Sequence, residues 1–321
     1  MKRVKYYERL IMIEDTKKIF EEELSKALDL MKVPSPLFVK TSSGLQDTLS
    51  GTEKSVSFTK SGEQFEVVHS LAKWKREALG KYGFPMHKGL LTDMKAIRKE
   101  EVVDAIHSMY VEQWDWEKVI SKEDRTLEYL KETVRKIYGA IKKTSKKLSK
   151  KYPSLKVELA DKITFITTQE LEDMYPELTP VEREQVYAKE KGAIFIIGIG
   201  DKLKSGKPHD LRSPDYDDWK LDGDIIVYDK VMKEAIELSS MGIRVDKEAL
   251  LDQLKKTHTE DRMKLPFHKG IMKGTTPLSI GGGIGISRIL LLLLGKTHIA
   301  EVQASSWEEK TLKELKDVEI L

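Results

Sequence analysis

Cysteine is absent from all 321 residues. Disulfides, thiolate metal sites, iron–sulfur clusters and thiol nucleophiles are therefore excluded together. Long apolar runs are absent too. The longest, Ile289 to Leu294, spans six residues, whereas a bilayer-spanning helix needs about 20. Charge of one sign is not in excess: Lys plus Arg number 56 and Asp plus Glu 53, a formal net charge of +3. That balance gives no general case for a nucleic-acid or membrane partner. The basic start, Met1-Lys2-Arg3-Val4-Lys5-Tyr6-Tyr7, leads into no apolar segment with a small-residue cleavage site, so a cytoplasmic protein is expected. The 7 histidines never take the i, i+4 spacing of a helical zinc site, and no serine sits in a G-x-S-x-G elbow. No internal repeat or Gly/Ser linker divides the chain.

What is present supports a folded core, since 40% of residues are hydrophobic and 34% charged. Residues 15–30 read as an amphipathic helix with Asp15 as its cap, and 31–39, holding Pro34 and Pro36, as an extended strand. Further strands are expected over 55–58, 64–68, 109–116, 162–167, 193–199 and 223–228. Between the two groups, Leu127, Leu130, Val134, Ile137, Ile141 and Leu148 form one helical stripe. The same helix carries Lys142, Lys143, Lys146, Lys147, Lys150 and Lys151. A solvated face is the reading favoured over an RNA-contacting patch, because no aromatics are interleaved to stack on bases. Strands before and after helices, without β-α-β alternation, favour an α+β fold around an antiparallel sheet.

Three constellations carry chemistry. Gly281-Gly282-Gly283-Ile284-Gly285-Ile286-Ser287-Arg288 opens a helix, yet is neither a Walker A loop nor a dinucleotide fingerprint. It offers either a bare backbone that a nucleotide can approach, with an arginine at a helix start, or simply a tight turn. In 107–117, Val111, Gln113, Asp115 and Glu117 share one strand face, as on the floor of a polar cleft or on a solvent-facing surface. Carboxylates at Asp215, Asp217, Asp218, Asp222, Asp224 and Glu237 could hold Mg²⁺ against phosphate, or, near Pro214, be turn residues. Arg244 could grip a carboxylate through two parallel hydrogen bonds.

These residues resemble the three signature motifs of class II aminoacyl-tRNA synthetases. Motif 1 is centred on Pro36, motif 2 is Arg98, Glu100, His107 and Asp115, and motif 3 is Gly283-Ile284-Gly285 with Arg288. The strings 64–76, Gln113-Trp114-Asp115-Trp116-Glu117, Pro214-Asp215-Tyr216-Asp217-Asp218-Trp219 and Glu237-Leu238-Ser239-Ser240-Met241-Gly242-Ile243-Arg244 are more specific. They resemble the ammonia-dependent asparagine synthetases, the A-type aspartate–ammonia ligases, from about Phe20 to Trp307. The resemblance implies an antiparallel sheet flanked by helices, a homodimer formed through motif 1, and the whole of 1–321 as one catalytic domain with no separate anticodon-binding domain. It also implies that L-aspartate, ATP and ammonia yield L-asparagine, AMP and pyrophosphate through a β-aspartyl-adenylate, without a membrane or nucleic-acid partner. Without a thiol, ammonia cannot be released from glutamine on this chain.

By that resemblance Arg98 holds the α-phosphate, Arg288 the γ-phosphate and adenine, and Glu100 the adenine amino group. His107, Arg212, Gly283 and Gly285 complete the nucleotide site, and Asp224 and Glu237 take Mg²⁺. Ser70, Lys75, Ser239, Ser240 and Arg244 bind aspartate. In the aspartyl-tRNA synthetases the lysine and arginine of this pattern grip the aspartate side chain. Because the side-chain carboxylate must be activated here, aspartate is expected end for end, with Lys75 and Arg244 on its α-carboxylate and the β-carboxylate facing ATP. Asp47, Asp115 and Asp217 are alternatives for deprotonating ammonium or holding the aspartate amino group, and Gln113 orients the reacting carbonyl. An aspartyl- or asparaginyl-tRNA synthetase is the alternative enzyme. The short segment before motif 1 and the near-neutral charge tell against it. A regulator without activity is disfavoured because Arg98, Glu237 and Arg288 all stand at their motif positions.

Overall fold

The computed structural model describes residues 2–49 and 53–321. Ser50 and Gly51, which end the string around Asp47, lie outside the described residues.

The first helix, α1 (Lys2–Leu28), starts well before Asp15 because nothing ahead of that residue breaks it: residues 2–14 hold no glycine or proline. Asp15 is therefore mid-helix, and its carboxylate pairs with Lys151 at 2.6 Å. The helix ends at Asp29, which takes a left-handed φ of 61°. The proline segment is not one strand. β1 (Leu30–Lys32) and β2 (Phe38–Lys40) flank it, and Pro34 and Pro36, having no N–H for a ladder, occupy the gap. Then come β3 (Ser57–Lys60), β4 (Glu63–Val67), α2 (Ala72–Lys81), β5 (Gly89–Ile97), β6 (Tyr110–Val119) and α3 (Leu127–Lys151). β7 (Thr164–Thr167), α4 (Thr168–Met174), α5 (Pro180–Lys191), β8 (Ala193–Ile197), β9 (Asp217–Asp229), β10 (Glu234–Arg244) and α6 (Lys247–Lys256) follow. The chain continues through α7 (Pro266–Lys273), β11 (Ser279–Gly285), α8 (Ile286–Leu294) and α9 (Glu309–Glu314).

Eight strands form one sheet in the order β1-β5-β6-β11-β10-β9-β8-β7. It is antiparallel through its centre, and the α+β expectation holds. Only the edge pairs β1·β5 and β7·β8 are parallel. A small sheet, β2-β4-β3, stands beside it.

Strand alternation divides the sheet into two chemically unlike faces. Trp114 and Trp116 of β6, with Ile280 and Ile284 of β11, point into the main core against α1, α3 and α8. Phe20 of α1 packs on Trp114 with ring centroids 4.7 Å apart. Each such fully buried side chain contributes about 1.5–3 kcal/mol. The α3 stripe from Leu130 to Leu148 is buried here, while Leu127 in its first turn is exposed. The opposite face carries Gln113, Asp115 and Glu117, and α2 packs over part of it. On the lysine-rich side of α3, Lys147 pairs with Glu23 at 2.6 Å and Lys142 with Asp161 at 3.4 Å, as a solvated, locally neutralised face would.

Candidate active site

The cleft on the polar face holds about 290 Å³. Its floor is the junction of β6, β11 and β10. Gly281, Gly283 and Gly285 lie opposite Glu117, Asp115 and Gln113, and Gly283 lies opposite Ser240 on the other side. A Cβ on Gly283 would stand 2.5 Å from Gln113 Oε1, and one on Gly281 would stand 1.9 Å from Glu117 Oε2. The glycine run is thus not a tight turn. It is a strand stripped of side chains so that the carboxylates and amide of β6 fit above it.

At the closed end, charges are buried in pairs. Arg244, only 1% exposed, donates from Nε to Glu117 Oε1 at 2.9 Å and from Nη2 to Glu117 Oε2 at 2.7 Å. Its Nη1 binds Asp217. Ser279 Oγ donates to Glu117 Oε1 at 2.7 Å. Burial would lower the Arg244 pKa, but Asp217 and Glu117 outweigh it and raise it above the ordinary value. Burial pushes the Asp217 carboxyl up despite Arg244. Lys75 Nζ binds Asp115 and donates to the Gly282 carbonyl at 2.7 Å. Burial pulls Lys75 down, against Asp115. The other oxygen of Asp115, Oδ2, is buried without a hydrogen-bond partner among the described residues.

Asp47 differs from these carboxylates. Its Oδ1 accepts the Leu49 N–H at 2.8 Å and its Oδ2 the Ser70 hydroxyl at 2.6 Å. Among the described residues no basic side chain forms an ion pair with it, although it lines the cleft.

The open end gathers Arg98, His107, Arg212, Glu237 and Arg288. Arg98 Nη2 rests on the His69 carbonyl at 3.3 Å, and His107 Nδ1 lies 2.9 Å from Asp104. Arg288 Nη1 donates to the Glu237 carbonyl at 2.8 Å and its carboxylate at 3.3 Å. Burial pushes Glu237 up, but Arg288, Arg212 and Arg98 outweigh it and hold the carboxyl below its usual range. Just beneath, Arg212 binds Asp224. Burial and neighbouring Glu237 push Asp224 up to about 8, against Arg212. Its Oδ1 has no hydrogen-bond partner among the described residues. A buried, unpaired carboxylate oxygen beside a second carboxylate is a donor set suited to a hard divalent cation with phosphate oxygens completing the shell. Among the described residues, no group of three or more His, Asp or Glu is placed to hold a metal alone.

Of the carboxylates weighed from sequence, Glu117, Asp215, Asp218 and Asp222 are buried outside the cleft lining, and of the residues given a role by the resemblance all but three line it. Glu100 sits on the turn past β5, exposed, and accepts the Lys54 N–H at 3.2 Å; Glu101 lines the cleft instead. Ser239 is buried on the far side of its strand from Ser240. Asp224 lies under the lining, behind Arg212. Tyr216, Ser108 and Gln303 line the cleft without having been singled out. Gln303 receives the Ser108 hydroxyl at 2.8 Å, yet nothing in the local pattern of this C-terminal stretch marks it.

The aspartate–ammonia ligase family model matches residues 7–319. The chain belongs to the aspartate–ammonia ligase family. The aspartate–ammonia ligase of Lactobacillus johnsonii is 55% identical over 308 residues, covering 94% of this chain and 92% of that protein. That of Fusobacterium nucleatum is 57% identical over 301 residues, with 94% and 92% covered. The ligase is accordingly an enzyme that joins ammonia to aspartate to make asparagine. Solved structures share its fold at low identity. The Pyrococcus horikoshii asparaginyl-tRNA synthetase, in complex with asparaginyl-adenylate, superposes with a TM-score of 0.68 at 15% identity. It covers 92% of the ligase, which spans 67% of the synthetase. The Entamoeba histolytica enzyme of the same name gives 0.63, and there the ligase spans 66% of the synthetase. The expected class II synthetase fold is borne out.

Proposed function

We propose that the ligase activates aspartate with ATP, forming a β-aspartyl-adenylate and pyrophosphate, and that ammonia then displaces AMP. The observation that carries this reading is the cleft's division. A closed end holds buried Lys75 and Arg244, an open end holds Arg98, Arg212 and Arg288, and Asp47 stands without an ion-pair partner among the described residues. A carboxylate is a poor electrophile, so one of its oxygens must leave with a better group. Attack of the β-carboxylate on the α-phosphorus expels pyrophosphate, and cations placed in advance stabilise the charge that develops. Arg98 and Arg288 fill that role, and Mg²⁺ held by Asp224 and Glu237 would neutralise phosphate oxygens.

Aspartate enters with its α-carboxylate on Lys75 and Arg244 and its α-ammonium on the unpaired Oδ2 of Asp115. Its β-carboxylate then faces the nucleotide, with Gln113 beside the reacting carbonyl. Ammonium is no nucleophile, so it must lose a proton first. Asp115 and Asp217 already pair with cations, which leaves Asp47 to bind ammonium and accept that proton. Ammonia's lone pair forms the new C–N bond, the bond from the acyl carbon to the AMP oxygen breaks, and the second proton leaves with solvent. A homodimer of single-domain, cytoplasmic subunits completes the reading.

Incubation with aspartate, ATP, Mg²⁺ and ammonium tests it. AMP and pyrophosphate are expected, and accumulation of ADP would replace the adenylate by an acyl phosphate. A complex with asparagine in which Arg244 contacts the side-chain amide would overturn the substrate orientation.

A further inference from the structure

Asp215 lies outside the cleft lining, and its surroundings are far more basic than a turn requires. The side chain is fully buried. Oδ2 receives Lys73 Nζ at 2.8 Å, His268 Nε2 at 2.9 Å and Arg262 Nη1 at 3.0 Å. Oδ1 receives Ser213 Oγ at 2.9 Å. Lys73 and His268 are buried with it. The donors come from α2, from the short 3-10 turn Glu260–Lys264, and from α7. Burial would push the carboxyl up, but Lys73, His268 and Arg262 outweigh it and hold Asp215 ionised.

The network reaches further. Arg262 Nη2 donates to Thr48 Oγ1 at 3.2 Å, and Thr48 Oγ1 stands 3.4 Å from Ser213 Oγ. Thr48 directly follows Asp47, Asp215 directly precedes Tyr216 and Asp217, and Lys73 lies between Ser70 and Lys75. A buried ion cluster is a weak source of stability, since apolar groups of equal volume often serve as well. What this one provides is a fixed spacing between the chain segment bearing Asp47 and the segment bearing Tyr216 and Asp217.

We propose that Asp215 and Arg262 are positioning residues for the ammonia side of the reaction, holding Asp47 at its place in the cleft through Thr48. This rests on the reading of Asp47 as the ammonium site. Asp215→Asn leaves Lys73 buried without its counter-charge and can fail to fold. Thr48→Val breaks the outer link alone, and Arg262→Gln, at a side chain 18% exposed, breaks that link and one of the three basic contacts to Asp215, leaving Lys73 and His268 in place. The readouts are the ammonium KM, the aspartate KM, aspartate-dependent ATP–pyrophosphate exchange and the melting temperature.

Both outer variants are expected to raise the ammonium KM about tenfold while exchange and aspartate KM stay within about twofold. A purely structural role would lower the melting temperature and every rate together. An ammonium KM within about twofold of the parent, or exchange falling in parallel, overturns the inference. Asp47→Asn separates the two levels. An unchanged ammonium KM in Asp47→Asn defeats the ammonium-site reading. A raised one there, with Arg262→Gln and Thr48→Val both silent, leaves that reading standing and removes the positioning role.

Discussion

Arg244→Lys separates a substrate-gripping arginine from a purely structural one. The guanidinium makes hydrogen bonds to Glu117 from Nε and Nη2, at 2.9 and 2.7 Å, and to Asp217 from Nη1. A lysine ammonium is a single point of charge and reaches only one of the two carboxylates. Deleting one partner of a buried pair costs about 3–5 kcal/mol. Lysine keeps one carboxylate paired, and Asp217, already pushed up by burial, can take a proton, so about 2–3 kcal/mol is expected. At about 2 °C per kcal/mol for a chain of this length, the melting temperature should fall by about 4–6 °C. Aspartate should suffer separately. Losing a buried charge-assisted bond to its α-carboxylate is worth about 1.5–3 kcal/mol, a tenfold or larger rise in aspartate KM. The ATP KM at saturating aspartate should stay within about twofold, because Arg98 and Arg288 are untouched. Initial rates over both substrates and a melting curve read all three quantities. Equal shifts in the two KM values, or an unchanged aspartate KM with a lowered melting temperature, would refute the reasoning. Arg244 would then only brace β6 against β9.

Further outcomes are expected. Arg98→Ala and Arg288→Ala should each cut ATP–pyrophosphate exchange by about 10²–10³, with melting temperature nearly unchanged because both side chains are only partly buried; an unfolded variant would assign that arginine to the fold. Glutamine should not replace ammonium, since the chain has no thiol to release its nitrogen; turnover with ammonium-free glutamine would contradict this. Asp224 carries a proton below about 8 and must lose it to take a cation, so Mg²⁺ affinity measured by calorimetry should rise with pH up to about 8 and then level off; a flat profile removes Asp224 from the metal site. Gly281→Ala should fail to yield folded protein, or should melt far below the parent, because its Cβ would meet Glu117 Oε2 at 1.9 Å and force the Arg244 pair apart.

The polar face of β6 was legible in the sequence because alternation is a local property: Gln113, Asp115 and Glu117 recur every second residue between Trp114 and Trp116. The α3 stripe was legible for the same reason. β10 and β11 were not. Two register shifts interrupt β10, between Glu237 and Ser239 and between Gly242 and Arg244, and the glycines of β11 have poor strand propensity. Asp217 and Asp218, beside Pro214, carry a turn signal but begin the long strand β9. Residue types pointed to Lys75 and Arg244. Their pairing with Asp115, Glu117 and Asp217 did not show, because those partners lie 40, 127 and 27 positions away. The Asp215 cluster, built from Lys73, Arg262 and His268, was hidden for the same reason.

The bare strand under the cleft also limits how this enzyme can be remodelled. At Gly281, Gly282 and Gly283 an added Cβ would meet another atom at 1.9, 2.6 and 2.5 Å. A side chain at Gly281 displaces the Glu117–Arg244 pair, one at Gly283 displaces Gln113, and one at Gly282 runs into the backbone and Cβ of β10, so none enlarges the pocket without cost to its floor. Room for new substrates must be sought in the walls, at Tyr216, Ser240 and the lining residues between Arg98 and Glu112. Wall substitutions alter which amino acid or nucleophile enters, while the floor keeps the distance between them constant. Selection for altered specificity should therefore enrich changes at Tyr216, in β10 and in the 98–112 segment and leave β11 largely silent.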